Sequence, residues 1–147
     1  MYEIVVNKCF GGFGLSPLAL SELCKRKGID CYVYVESDTN KGEYIQTPPI
    51  NVPLSKGFFT IYINKDLGKV INVNALSKED YVDLGDYIPR HDKDLVEVVK
   101  KLGDDANGYC ADLRVVKISS KLYKINDYDG SETVTVPENI DWIIIEE

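Results

Sequence analysis

Apolar positions along this chain recur in two rhythms, one close to the strand period and one close to the helical period. Tyr2–Val6 is rich in β-formers and alternates only loosely, the pattern of a strand covered on both faces. Cys31–Glu36 ("CYVYVE") predicts a second strand. Phe58–Asn64 and Lys69–Ala75 predict two more, joined as a hairpin across "NKDLG" with Gly68 free to take a positive φ. "LRVVKIS", "LYKIND", "ETVTV" and "DWIII" complete the strands, and Tyr128-Asp129-Gly130 is a turn signal between the second and third of these.

The helical rhythm appears twice. Ser16 is a good N-cap and Pro17 fits the first helical position. Leu15 and Leu20 are placed for a hydrophobic staple. Leu20, Leu23 and Cys24 supply the apolar stripe, and Gly28 stops the helix. Asp92 or Asp94 caps the clearest helix, in which Leu95, Val98, Val99 and Leu102 follow the i, i+3, i+4, i+7 pattern up to Gly103. Ser77, with Asp80 three residues on, marks a third, short helix. Ser37–Lys56 is the least regular stretch, with three prolines and mixed polarity. The expectation is a single α+β domain over residues 1–147: a mixed, mostly antiparallel sheet with two main helices and one short one. The route from Val6 through the first helix to Cys31 is long enough for one parallel crossover.

Composition supports this and narrows the partners. The chain is 147 residues long, 44% hydrophobic and 28% charged, as ordinary folded domains are. No apolar run approaches the ~18 residues of a membrane span, and "MYEIVVNKCF" has neither a basic leader region nor a small-residue cleavage site. A cytoplasmic protein with no membrane partner is expected. The four cysteines include no CxxC pair and read as reduced, mostly buried thiols. The net charge of -7 is concentrated after Asn126, where seven acidic residues stand without a lysine or arginine. Acidic residues there suit a solvated edge or a surface for a basic partner. Lys25-Arg26-Lys27 is the only basic run and closes a helix, so nucleic acid is not an expected partner. The default expectation for oligomeric state is a homodimer.

The chemistry centres on "NKCFGGFGLSP". A glycine-rich loop between a strand and a helix has the local shape of a phosphate cradle, because the helix N-terminus offers unpaired N–H groups. The standard motifs are incomplete, however. A P-loop needs lysine and a hydroxyl after its last glycine, where Leu15 stands; a dinucleotide fingerprint needs glycine at Pro17; a cysteine-phosphatase loop needs arginine at Leu15. Two readings stay open: a tight turn with Phe10 and Phe13 buried, or a ligand loop in which a phenylalanine stacks on a ring. Cys9 at a strand end is a candidate nucleophile, and His91, the only histidine, is the only base a Cys–His pair could use. One histidine with dispersed cysteines falls short of a zinc site, and no cofactor motif is complete.

"VVNKCFGGFGLSPLAL", the later "DLVEVVKKLGDDANGYCADLRVVKI" and the "YDG" turn together resemble a family of small proteins of tailed bacteriophages and prophages. That family carries a near-N-terminal NKC[FY]GGFGLS stretch, an R-x-D-x-x-L-V-x-V-V-x-x-L-G helix and a Y-D-G turn before an E-W strand. The chain departs from it at "ETVTVPENIDW", where the family's tryptophan stands closer to the turn. No activity comes with the resemblance, so no catalytic residue is carried over. It implies an accessory protein in the cytoplasm of an infected bacterium, acting by stoichiometric binding to a host or defence protein or to a nucleotide-like signal. The candidate ligand residues are Lys8, Cys9, Phe10, Gly11, Gly12, Phe13, Gly14 and Ser16, with Arg90 and His91. The alternative is a small enzyme acting on a nucleotide-like substrate through Cys9 and His91.

Overall fold

The strand Tyr2–Asn7 (β1) lies at the centre of the molecule, with Ile4, Val5, Val6 and Asn7 all buried. The computed structural model describes residues 1–85, 87–139 and 145–146. β1 pairs antiparallel with Leu113–Ile118 (β6) from Tyr2 opposite Ile118 to Asn7 opposite Leu113. Alternate side chains of β1 face opposite ways. Val5 joins the helices Pro17–Arg26 (α1) and Lys93–Leu102 (α2), through Ala19, Leu23, Leu95, Val98 and Val99. Ile4 and Val6 meet Ile118 and Val136 on the other face. Burial on both faces explains the near-continuous apolar run of β1.

Both helix predictions are met at their caps. The Ser16 Oγ accepts from the Ala19 N–H at 3.1 Å with Pro17 behind it, and the Asp92 carboxylate accepts from the Leu95 N–H at 3.0 Å. The short helix expected after Ser77 is a single 3-10 turn, Lys78–Asp80, in which the Asp80 carboxylate accepts from the Ser77 N–H at 2.8 Å.

The strands Tyr32–Glu36 (β2), Glu43–Gln46 (β3), Thr60–Ile63 (β4) and Val70–Asn72 (β5) form a second sheet in the order β4-β2-β3-β5. This corrects the expected β4–β5 hairpin. The 37–56 stretch contains β3, and the β2–β3 pair separates β4 from β5. The connection after β4 therefore passes the end of the sheet and is held there by Tyr34. Its hydroxyl donates to the Gly68 carbonyl at 2.7 Å and accepts from the Leu67 N–H at 3.1 Å.

Lys124–Tyr128 (β7) and Ser131–Thr135 (β8) form the hairpin marked by the Tyr128-Asp129-Gly130 turn, with Asp129 and Gly130 both at positive φ. The fold is α+β, with strand pairs that are antiparallel throughout the described residues. In place of one mixed sheet there are three among the described residues. β1 and β2 belong to different ones, so α1 is not a parallel crossover. The predicted "DWIII" strand lies outside the described residues, apart from Ile145. No helix among those residues is long and apolar enough to cross a membrane.

Candidate functional site

Where β1 ends, the ladder to β6 stops and the chain turns into the glycine-rich loop. The Asn7 side chain controls that exit. Its Nδ2 donates to the carbonyls of Cys9 and Gly130, each at 2.7 Å, and its Oδ1 accepts from the Asp112 N–H at 2.8 Å. One buried amide thus joins the loop, the segment before β6 and the β7–β8 turn. The Asn7 N–H donates to Glu132 Oε1 at 2.8 Å.

Glu132 is the hub beneath the loop. Arg90 grips its carboxylate bidentately, Nη1 to Oε1 at 2.5 Å and Nη2 to Oε2 at 2.8 Å. The same guanidinium lies 3.8 Å from the centroid of the Phe13 ring. Burial alone would raise the Glu132 pKa, but Arg90, the Asn7 N–H and the Lys8 charge outweigh it and hold the carboxyl below its ordinary range. Lys8 donates its Nζ to the Glu132 carbonyl at 2.8 Å. Both cations expected to face a ligand therefore have partners within the protein, although Lys8 itself is exposed.

The glycines mark backbone crossings. A Cβ on Gly11 would stand 2.1 Å from the Cys110 carbonyl oxygen. Gly130, at φ +92°, is pressed against the loop so closely that a Cβ would fall 2.5 Å from the Gly12 nitrogen. Gly14 accepts from the Gly108 N–H at 2.9 Å. Three segments distant in sequence meet here backbone to backbone.

The helix N-terminus is engaged as well. The Ser16 N–H donates to the Ala106 carbonyl at 2.9 Å, and the Ser16 Oγ donates to the Asp105 carbonyl at 2.6 Å. Asp104 and Asp105 are among the residues that line the cleft beside it, an unfavourable setting for an anion.

What the loop presents outward is aromatic. Phe10, expected to be buried in the packing reading, is 66% exposed and meets Tyr128 edge-on at 6.5 Å. Phe58 and Tyr109, which share a cleft with the loop, form a second edge-to-face pair at 5.9 Å. Between loop and pair lies a cleft of about 160 Å³ lined by Gly11, Phe13, Leu54, Phe58 and Tyr109. Phe58 and Leu54 come from the 3-10 segment Leu54–Phe59, so the end of the irregular 37–56 stretch borders the loop.

Cys9 and His91 do not meet. His91 places Nδ1 2.7 Å from the Tyr123 hydroxyl and its ring edge-on to that tyrosine. It lines a separate groove of about 480 Å³ with Ile4, Lys93, Ile118 and Lys121. Burial, and then the neighbouring Tyr87, hold the Tyr123 hydroxyl above the usual tyrosine range. Cys9 is half-buried at the loop entry, with its N–H 3.3 Å from Asn7 Oδ1. Of the four cysteines only Cys24 is fully buried, Cys110 is exposed, and all are free thiols, which corrects the expectation of mostly buried ones. Among the described residues no three His, Cys, Asp or Glu side chains are grouped to hold a metal ion.

Sequence reasoning missed Asn7 and Glu132, placing the latter with the solvated acidic residues. Its signal was present in the period-2 pattern, which sets Glu132 on the same face of β8 as Val134, in phase with Val136 just beyond the strand. No protein-family model, curated protein or solved structure matches the chain.

Proposed function

We propose that the protein is a non-catalytic binding module that docks on another protein through the aromatic face around the glycine-rich loop. One observation carries this reading. Phe10 with Tyr128 and Phe58 with Tyr109 stand exposed beside a loop that Asn7 anchors at the Cys9 carbonyl and Gly108 anchors at the Gly14 carbonyl. Large aromatics on a pre-ordered backbone are what interface hot spots are made of, since little conformational freedom is lost on binding. Asp104, Asp105, Asp127 and Asp129 are exposed around this face, so the partner that fits presents an apolar centre flanked by lysine or arginine. In the setting that the sequence resemblance implies, that partner is a host protein bound stoichiometrically by a viral accessory protein.

The nucleotide-like ligand fits the face less well. The cleft of about 160 Å³ is below the roughly 300–1,000 Å³ of enclosed small-molecule sites, and Lys8 and Arg90 already have partners. Catalysis by Cys9 and His91 would require the two to approach, and no hydrogen bond or shared cleft among the described residues joins them.

The test captures partners from bacterial lysate and maps amide exchange on the full chain with each captured protein. Phe58→Ala with Tyr109→Ala should abolish capture, each hot-spot side chain contributing about 2 kcal/mol or more, while Lys121→Ala in the His91 groove leaves it intact. Protection should fall on residues 10–14 and 54–59, and capture should weaken as salt is raised. Protection confined to the His91 groove, or the same protection from a second copy of the chain at high concentration, overturns the hetero-complex. A thermal shift with mono-, di- or cyclic nucleotides that disappears in Phe13→Ala would establish the small-molecule reading instead.

A further inference from the structure

The His91 groove shares no lining residue with the cleft beside the glycine-rich loop. It lies between α2, which supplies Lys93, Val96 and Glu97 at helical spacing, and the connection from β6 to β7, which supplies Lys121 and Tyr123. Ile4, Val96 and Ile118 line it and are buried, so its floor is apolar. His91, Lys93 and Lys121 are exposed and stand at its rim. Its volume of about 480 Å³, against about 160 Å³ for the cleft beside the loop, falls within the roughly 300–1,000 Å³ of small-molecule sites.

The charged groups on this lining differ in what already answers them. Glu3 accepts from the Lys100 ammonium at 2.7 Å. The hydrogen bond and charge of Glu3, and then the charge of Glu97, raise the Lys100 pKa against desolvation. The two carboxylates therefore share a cation outside the groove. Lys93 and Lys121 have no ion-pair or hydrogen-bond partner for their ammonium groups among the described residues. His91 Nδ1 is held by the Tyr123 hydroxyl at 2.7 Å, which leaves Nε2 without a partner there as well. Two uncommitted cations, one from each wall, thus stand above an apolar floor.

We propose that this groove binds a small amphipathic carboxylate of the medium-chain fatty-acid class, its tail on Ile4, Val96 and Ile118 and its head between Lys93 and Lys121. A small polar anion would gain nothing from the floor, and a polyanion would bring charge against Glu3 and Glu97. An uncharged apolar ligand would leave both lysines unanswered.

His91 is the only histidine of the chain, so its ring protons report the groove without further assignment. The full chain is titrated with decanoate below its micelle concentration while the His91 signals are followed by proton NMR. The signals should move saturably, and binding should strengthen by up to about fourfold for each methylene added from hexanoate to decanoate. Lys93→Ala and Lys121→Ala should each weaken binding by about two- to fivefold, whereas Lys69→Ala, beside β5, should not. Decanol, with the same tail and no charge, should bind more weakly than decanoate. Decanol binding as tightly as decanoate, or lysine variants binding as the parent does, overturns the head-group site. His91 signals that stay still throughout the decanoate titration overturn the groove as a binding site altogether.

Discussion

Helix α2 and the glycine-rich loop both adjoin β1, and they are held in opposite ways. α2 is specified locally: Asp92 caps it, Leu95, Val98 and Val99 recur on one face, and Gly103 ends it at φ +57°. The loop has almost no local reason for its shape. Asn7 reaches Gly130 and Glu132, which are 123 and 125 positions away, and Asp112, which is 105 away. One element follows from a repeat within ten residues. The other is a junction of three chain segments around a single buried ion pair.

The contrast is broken most severely at Glu132. Its carboxylate is buried and carries the bidentate bond from Arg90 as well as the Asn7 N–H. Glu132→Ala leaves a guanidinium uncompensated above Phe13 and should cost about 3–5 kcal/mol, read as a lower midpoint in urea unfolding. Leu95→Ala in α2 falls in a similar range, about 2–5 kcal/mol, but by leaving a cavity. The two causes separate on conservative replacement. Leu95→Met should recover most of the loss, whereas Glu132→Asp should recover little, because the shorter side chain cannot span both partners. If Glu132→Ala stays within about 1 kcal/mol of the parent, the loop is not held by this pair.

Acid should act more strongly on the junction than on the helical stripe. The Glu132 carboxyl is held below its ordinary value in the folded protein, so it contributes stability above the unfolded glutamate pKa of about 4.3. That contribution is lost as pH falls through the lower folded value. Glu132→Gln should therefore flatten the fall in melting temperature below about pH 4.5 while leaving α2 substitutions additive with it. An unchanged acid limb in Glu132→Gln would assign acid sensitivity to other carboxylates, Asp92 and Asp80 first, since both are also held low.

These outcomes parallel what was legible in the sequence. Caps, stripes and the Tyr128-Asp129-Gly130 turn each depend on residues within one helix or hairpin, so local pattern is enough to read them. Strand order was not legible. "NKDLG" is a sound hairpin signal, yet the pairing went to β2 and β3 because the Tyr34 hydroxyl holds that connection across the sheet end. The loop was legible as a special place and illegible in its use. Its glycines point equally to an anion and to a backbone crossing. Only the positions of Cys110 and Gly130 against Gly11 and Gly12 distinguish the two.

The mildest test lies where the two regions come closest. Arg90 belongs to the junction and Asp92, two residues on, caps α2, with Lys27 at the end of α1 donating to its carboxylate at 2.9 Å. Burial opposes the charge of Asp92, while Lys27 and the Leu95 N–H favour it, with a net lowering of its pKa. Asp92→Ala removes both cap and ion pair and should cost about 1–2 kcal/mol; Asp92→Asn retains the cap and should cost about 0.5 kcal/mol at low salt. Amide exchange tells where the loss falls. Faster exchange confined to the first turn of α2 would show that cap and junction are independent despite their closeness. Faster exchange at Asn7 and Asp112 as well would mean that Asp92 positions Arg90, making the helix cap the local feature on which the long-range junction depends.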